Sequence, residues 1–177
     1  GLKTIEPDDE RIAIASFAWR LVSGHDNPEL ARRGRLVDLI VMGRPDAADG
    51  GVDSAALEAA LFDTGRPVLI AGNDELTVPE APIAIAWDGS REATRGLSAA
   101  LPFLKIAKRA LILSVSDAPK DDGLENLAIY LRGHGIDSEI QLIANQERHS
   151  AEPPHNELQS LPGALRVMGA YGHSVIS

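Results

Sequence analysis

The stretch Val167-Met168-Gly169-Ala170-Tyr171-Gly172-His173-Ser174 decides the fold that the sequence predicts. It has the pattern of a buried strand that runs directly into a turn containing two glycines. In open parallel sheets, ligands bind outside the carboxyl ends of the strands, where the strand order reverses. Glycine allows the backbone to approach a ligand closely because it has no Cβ, and exposed N–H groups in such a turn hold phosphate oxygens. The stretch therefore predicts a ligand site at the carboxyl end of its strand.

A weaker copy of this pattern occurs earlier, at Asp38-Leu39-Ile40-Val41-Met42-Gly43-Arg44-Pro45. Both copies contain Val-Met-Gly, which indicates one structural unit present twice. We therefore predict two units, residues 1–72 and 82–177, joined by a polar linker at residues 73–81. The first unit has too few residues before its Val-Met-Gly for the opening strand–helix pairs. The second has too few after it for a closing helix and strand, so we expect both units to be incomplete in this sequence.

Apolar runs and helix signals alternate in the first unit. Asn27 is the expected N-cap of one helix, and Asp53 or Ser54 caps a second helix that ends at Gly65. The continuous apolar runs are typical of strands covered on both faces, whereas alternation of apolar and polar residues indicates a half-buried edge strand. The continuous runs are residues 39–42 and 68–71, and the alternating run is residues 17–22.

The same alternation of strands and helices continues in the second unit. Ser90 is the expected N-cap of a helix over residues 91–108, and a second helix covers residues 124–132. Ile140 and Leu142 alternate with polar neighbours, which predicts an edge strand. The predicted strands are residues 83–87, 111–115, 136–144 and 167–169. This order of elements predicts an α/β class with a mainly parallel, doubly wound sheet.

Composition excludes several kinds of protein. Hydrophobic residues make up 44% of the chain but aromatic residues only 4%, so the core must consist of Ala, Val, Leu and Ile. The net charge of −9 opposes a general role in binding nucleic acid or acidic membranes. The chain has no cysteine, which excludes disulfides, thiolate nucleophiles and cysteine zinc sites. No apolar run approaches the ~20 residues of a membrane span, and we expect a soluble cytoplasmic protein.

Three stretches resemble the universal stress protein family, in its bacterial form with two domains in one chain. They are Ile85-Ala86-Trp87-Asp88-Gly89-Ser90-Arg91-Glu92-Ala93, the stretch Val167–Ser174, and Leu61-Phe62-Asp63-Thr64-Gly65-Arg66-Pro67-Val68-Leu69. The last is similar to the end of a first domain in that subgroup. The resemblance extends over most of residues 17–177, with the three stretches in the family's order and spacing.

The resemblance implies a flavodoxin-like or Rossmann-like domain, of the adenine-nucleotide α-hydrolase type, that often binds ATP, with or without Mg²⁺. The family's motif is Gly, two residues, Gly, nine residues, then Gly-Ser or Gly-Thr. Gly169 and Gly172 match its first half, with His173 and Ser174 in the same turn, but the sequence ends at Ser177 before the second half. By the same resemblance, Asp88 contacts the adenosine end. Val115 offers backbone hydrogen bonds to adenine, and Met168 lines the pocket.

In the first unit, Arg44-Pro45-Asp46 follows Gly43, so residue 46 is not glycine and Pro45 has no N–H. We expect that unit to be degenerate. The resemblance also implies that the two units pack on each other like a dimer, and that the protein can dimerise further.

Two functions from different classes follow. The first is a regulatory module of the stress response that binds ATP in its second unit. The alternative is a degenerate tandem scaffold that binds no nucleotide and acts through protein–protein contacts. No nucleophile–base pair, Gly-x-Ser-x-Gly elbow or Walker-type loop occurs in the sequence, so an enzyme is not expected beyond a slow ATPase.

Several conspicuous residues have simpler structural interpretations. Ser90 is interpreted as a helix cap rather than a nucleophile. His149, Glu152 and His155 resemble metal ligands, but Pro153-Pro154 breaks any helix that would align them, so no metal site is predicted. A basic cluster of three arginines is interpreted as a solvated helix face: Arg32, Arg33 and Arg35.

Overall fold

The fold is taken from a computed structural model of the chain. It describes residues 3–4, 16–19, 27–43, 53–72, 82–115, 123–143 and 165–170. Within these ranges every strand pairing is parallel, and each helix lies between two strands in the chain. The predicted α/β class is therefore confirmed, and the division into two tandem units stays a prediction.

The first part of the chain forms two small sheets and two helices. β1 (Lys3–Thr4) pairs with β2 (Ser16–Phe17), and β3 (Ile40–Gly43) pairs with β4 (Val68–Ala71). Helix α1 (Asn27–Gly34) precedes β3, and helix α2 (Ser54–Asp63) lies between β3 and β4 in the chain. The two helices contact each other.

The ends of α2 follow the predicted signals. The Asp53 side chain accepts a hydrogen bond from the Ala55 backbone N–H, which satisfies one amide of the first turn. After the helix, Gly65 has φ +68°, a conformation that glycine adopts without steric cost. Both predicted ends of this helix are confirmed.

The second part contains a four-stranded parallel sheet whose order is β7-β6-β5-β8. Its elements, in chain order, are β5 (Ile83–Ala86), α3 (Arg91–Ala107), β6 (Arg109–Val115), α4 (Leu124–Gly133), β7 (Asp137–Ile143) and β8 (Arg166–Val167). The chain passes from β5 outward through β6 to β7, and β8 then lies on the opposite side of β5. The strand order therefore reverses at β5.

One hydrophobic core lies between this sheet and its two helices. Ile85 and Ile112 are neighbours in register, and they pack with Leu104 of α3 and Leu131 of α4. The other face of the sheet is also covered, since Ala84 of β5 and Leu113 of β6, which form a second cluster, are buried. Burial on both faces explains why β5 and β6 are continuously apolar, as the sequence analysis expected.

Burial differs from expectation at four other strands. β3 and β4 were predicted to be covered on both faces, yet Val41 is 60% exposed and Ile70 is also exposed. β7 is the predicted edge strand, but Leu142 is 64% exposed although its register partner Ser114 is buried. The predicted strand at 17–22 is wrong at residues 18 and 19, which follow the two-residue β2 and are exposed. An apolar pattern identifies the face that is able to be buried, and neighbouring elements decide whether it is.

Among the helices of the described residues, none is both long enough and apolar enough to cross a membrane.

Two positions on α4 test this assignment of the core. Leu131 is 0% exposed, so Leu131→Ala leaves a cavity and lowers the free energy of unfolding by about 2–5 kcal/mol. The matched control, Ile129→Ala on the same helix, changes it by less than about 1 kcal/mol because Ile129 is 60% exposed. Urea denaturation followed by far-ultraviolet circular dichroism measures both. Equal losses in the two variants would contradict the orientation of α4.

Candidate functional site

Two adjacent parallel strands bring the two main sequence motifs to one edge of the sheet. β5 pairs with β8, with Ile85 opposite Val167. Each strand runs into a turn that carries one motif, Asp88-Gly89 after β5 and Met168-Gly169 after β8. Because the strand order reverses at β5, the gap between these ends is a point at which open parallel sheets bind ligands.

Val115 lies at the same edge, on the other side of β5. It is the last residue of β6, and Leu113 lies opposite Ala86. Val115 comes two residues after this pair on β6, and Asp88 comes two residues after it in the turn that follows β5. Three of the predicted site positions, Asp88, Val115 and Met168, thus lie at the carboxyl ends of three neighbouring strands.

Two side-chain oxygens that accept hydrogen bonds from backbone amides shape the turn after β5. The Ser90 backbone N–H donates to Asp88 Oδ1 at 2.9 Å, and the Ala93 backbone N–H donates to Ser90 Oγ at 3.0 Å. Ser90 is therefore the N-cap of α3, as predicted. Asp88 is exposed, and its second oxygen accepts no hydrogen bond from the described residues. The hydrogen bonds that shape the turn therefore do not use that oxygen.

Gly169 is required by packing. A Cβ at this position would lie 2.7 Å from Ala93 N and 2.8 Å from Glu92 C, which are backbone atoms of the first turn of α3. The sequence analysis assigned Gly169 to close approach of a phosphate, whereas the structure shows close approach of a helix. This packing neither requires nor excludes a ligand.

Gly96 makes the reciprocal contact, and the sequence analysis did not identify it. A Cβ on Gly96 would lie 2.9 Å from Met168 O and 3.6 Å from Val167 Cγ1. The available signal was the pair Ala93 and Gly96, two small residues three positions apart on one helical face. Together with Gly169, this pair allows α3 to lie directly against the end of β8.

The electrostatics near Gly169 are unfavourable to a phosphate on α3. Glu92 is in the first turn of this helix, and its Cβ would be 2.9 Å from a Cβ on Gly169. The Ala93 amide is already bonded to Ser90 Oγ, so it does not offer its hydrogen to a ligand.

The remaining site predictions have different outcomes. Met168 is 44% exposed at the end of β8, so it is accessible to a ligand. The site residues Gly172, His173 and Ser174 lie outside the described residues, as does the group His149, Glu152 and His155. Among the described residues, no group of three or more His, Asp and Glu side chains is placed to hold a metal ion.

An open cleft of about 680 Å³ lies on the other flank of α3. It begins at the same turn, at residues 87–89, and continues between α3 and α4. Thr94, Leu97 and Ser98 of α3 line it, whereas Glu92, Ala93 and Gly96 of that helix face the end of β8. The sequence analysis did not predict this cleft, because it depends on the spacing between two helices.

Two of the three clustered arginines lie on a solvated face of α1, as interpreted from the sequence, and Arg35 follows the helix. Arg32 and Arg33 are exposed and both form ion pairs with Glu29. Hydrogen bonds from Arg32 and then Arg33 lower the pKa of the Glu29 carboxyl from 4.5 to about 2. Arg35 donates to the Asp63 carbonyl at 3.0 Å and so ties α1 to α2.

The sequence matches no model of a known protein family, and no curated protein matches it.

The packing role of Gly169 is testable by adding a single methyl group. Gly169→Ala forces backbone atoms of α3 away from β8 and lowers the free energy of unfolding by about 1–3 kcal/mol. The control is Gly133→Ala at the end of α4, where a Cβ meets no atom within 4 Å. This control leaves stability unchanged or raises it by up to about 1 kcal/mol. A Gly169→Ala protein as stable as the wild type by denaturant titration would refute the packing role.

Proposed function

We propose that this chain is an ATP-binding regulatory module of the universal stress type, with a doubly wound sheet in its second unit. One observation carries the proposal. The strand order reverses at β5, and this puts Asp88 at the same edge as Met168 and Gly169. These residues belong to two sequence stretches that resemble the family independently. A site assembled from both stretches supports the resemblance better than either stretch alone.

The proposed roles follow from the chemistry at this edge. The second carboxylate oxygen of Asp88 accepts a hydrogen bond from the adenosine end of the nucleotide. The backbone of Val115, at the end of β6, bonds the adenine, and the exposed Met168 covers one side of the ligand. The phosphates, with Mg²⁺ as counter-ion, lie on backbone amides of the turn after β8, which includes Gly172, His173 and Ser174.

In this proposal the chain acts as a switch rather than an enzyme, with slow ATP hydrolysis as the upper limit of its activity. Nucleotide binding orders the turn at residues 169–174 and changes a surface that a protein partner contacts. The two units pack on each other like a dimer. We propose the cytoplasm as its compartment, which is consistent with a chain of 177 residues without cysteine.

A second candidate is a scaffold that binds no nucleotide, and Glu92 favours it. Its position in the first turn of α3, beside Gly169, brings an acidic residue to the edge where the phosphates would lie. A carboxylate close to a triphosphate opposes binding, because like charges repel. In this candidate, the glycines of the turn serve packing alone and the paired units present a docking surface.

Calorimetric titration of Mg-ATP into the whole protein tests the proposal. We expect saturable binding at about one site per chain, and an affinity about tenfold lower in Asp88→Asn, which loses the charge-assisted hydrogen bond. The side-chain oxygen of the introduced asparagine still accepts from the Ser90 amide, so the turn is preserved. Asp137→Asn, at the amino end of β7 and therefore at the opposite end of the sheet, retains the wild-type affinity.

Two outcomes would overturn this site. Absence of binding at millimolar Mg-ATP, with a folded protein by circular dichroism, favours the scaffold. Equal affinities for the wild type and Asp88→Asn would show that the nucleotide binds elsewhere.

A further inference from the structure

The cleft between α3 and α4 has the dimensions of a site for a small molecule. Its volume of about 680 Å³ falls within the range of roughly 300–1,000 Å³ that is typical of ligand pockets. Leu97 and Leu127, both buried, form an apolar floor, and the aromatic side chains of Trp87 and Tyr130 border it. This apolar part suits a ligand with a compact hydrocarbon or aromatic body.

The hydroxyl groups of the α3 wall are oriented as hydrogen-bond acceptors. Thr94 Oγ1 donates its hydrogen to the Ser90 carbonyl at 2.9 Å, and Ser98 Oγ donates to the Thr94 carbonyl at 2.9 Å. Each hydroxyl has one hydrogen, so a ligand in the cleft meets only the oxygen lone pairs. The wall formed by α3 therefore favours ligands that carry N–H donors.

The charges that line the cleft also favour a cationic ligand. Asp88 is the one carboxylate among the described lining residues, and no lysine, arginine or histidine is among them. Asn126 and Tyr130 add an amide and a phenol group on the α4 side, each with an acceptor oxygen and a hydrogen-bond donor. A cation near these groups gains attraction from the Asp88 carboxylate, and from an aromatic ring wherever it lies over the face of that ring. An anion gains neither.

From this combination we infer that the α3–α4 cleft binds a small organic ammonium compound, a primary amine on a body about the size of one aromatic ring. Its N–H groups bond to Asp88 and to the Thr94 hydroxyl oxygen, while the body lies on Leu97 and Leu127. The cleft is on the opposite flank of α3 from Gly169, so this site is separate from the proposed nucleotide site, although Asp88 borders both.

Tryptophan fluorescence provides a direct test. The chain has two tryptophans, and Trp19 is 78% exposed, so a Trp19→Phe protein retains Trp87 as a reporter at the cleft. Three probes of nearly equal shape separate charge from size: phenethylamine, 2-phenylethanol and phenylacetate. We expect a saturable change in emission with phenethylamine, and an affinity for phenylacetate at least about tenfold lower. Equal affinities for the amine and the acid, or no saturable signal with the amine, would overturn the inference.

Charge substitutions in the Trp19→Phe protein then locate the binding. Asn126→Lys puts a cation into the cleft from an exposed position of α4 and should weaken phenethylamine binding at least about tenfold. Glu125→Gln changes the total charge by the same amount at the next residue, which does not line the cleft, and should leave affinity within twofold. If Asn126→Lys does not fold, Ser98→Lys introduces the same charge from α3.

Retention of wild-type amine affinity in folded Asn126→Lys or Ser98→Lys would refute the site. A parallel titration with Mg-ATP keeps the two proposals distinguishable, because neither lysine variant is at the end of β8. If the protein binds phenethylamine but not Mg-ATP, the proposed nucleotide-binding function is wrong and the amine site in the cleft is supported. ATP binding without amine binding does the reverse.

Discussion

The close contact between the first turns of α3 and the end of β8 is the constraint on which the second part of this structure depends. Gly169 and Gly96 each lack a side chain at the place where a Cβ would overlap backbone atoms of the other element. Without this contact α3 would lie farther from β8, and Val167 would lose its place in the core beneath the helix. β8 is held beside β5 by strand pairing, and the close packing of α3 on the end of β8 depends on two residues that lack a Cβ.

The same helix connects this packing contact to the candidate site. The Asp88 carboxylate holds the Ser90 amide, and the Ser90 hydroxyl in turn holds the amide of Ala93. Ala93 N is also the atom that a Cβ on Gly169 would approach most closely. A change in the contacts of Asp88 is therefore linked, through two hydrogen bonds, to the backbone that packs on β8. This linkage gives a ligand at the strand ends a physical connection to the helix that covers the core.

Much of the fold could be predicted from the sequence where the signals are local. The apolar runs of β5 and β6, the Ser90 and Asp53 caps and the left-handed Gly65 all follow from residues close in the chain. The exposure of Val41, Ile70 and Leu142 could not be predicted, because it depends on whether another element covers that face of the strand. The cleft could not be predicted either, since its walls come from helices separated by a whole strand. Within the candidate site, Asp88 and Gly169 lie at the same edge of the sheet. This could not be predicted without the strand order, which no single stretch of sequence specifies.

Gly169 shows why a glycine in a motif is weak evidence for a ligand. In the sequence, Gly169 and Gly172 have the spacing of a phosphate-binding turn, and both were assigned to that role. In the structure, the surroundings of Gly169 demand glycine whether or not a phosphate is present, since Glu92 and Ala93 occupy the space. A chain that bound no nucleotide would still be more stable with glycine at this position. A nucleotide site is better supported by groups with no packing task, such as the second oxygen of Asp88 and the exposed side chain of Met168.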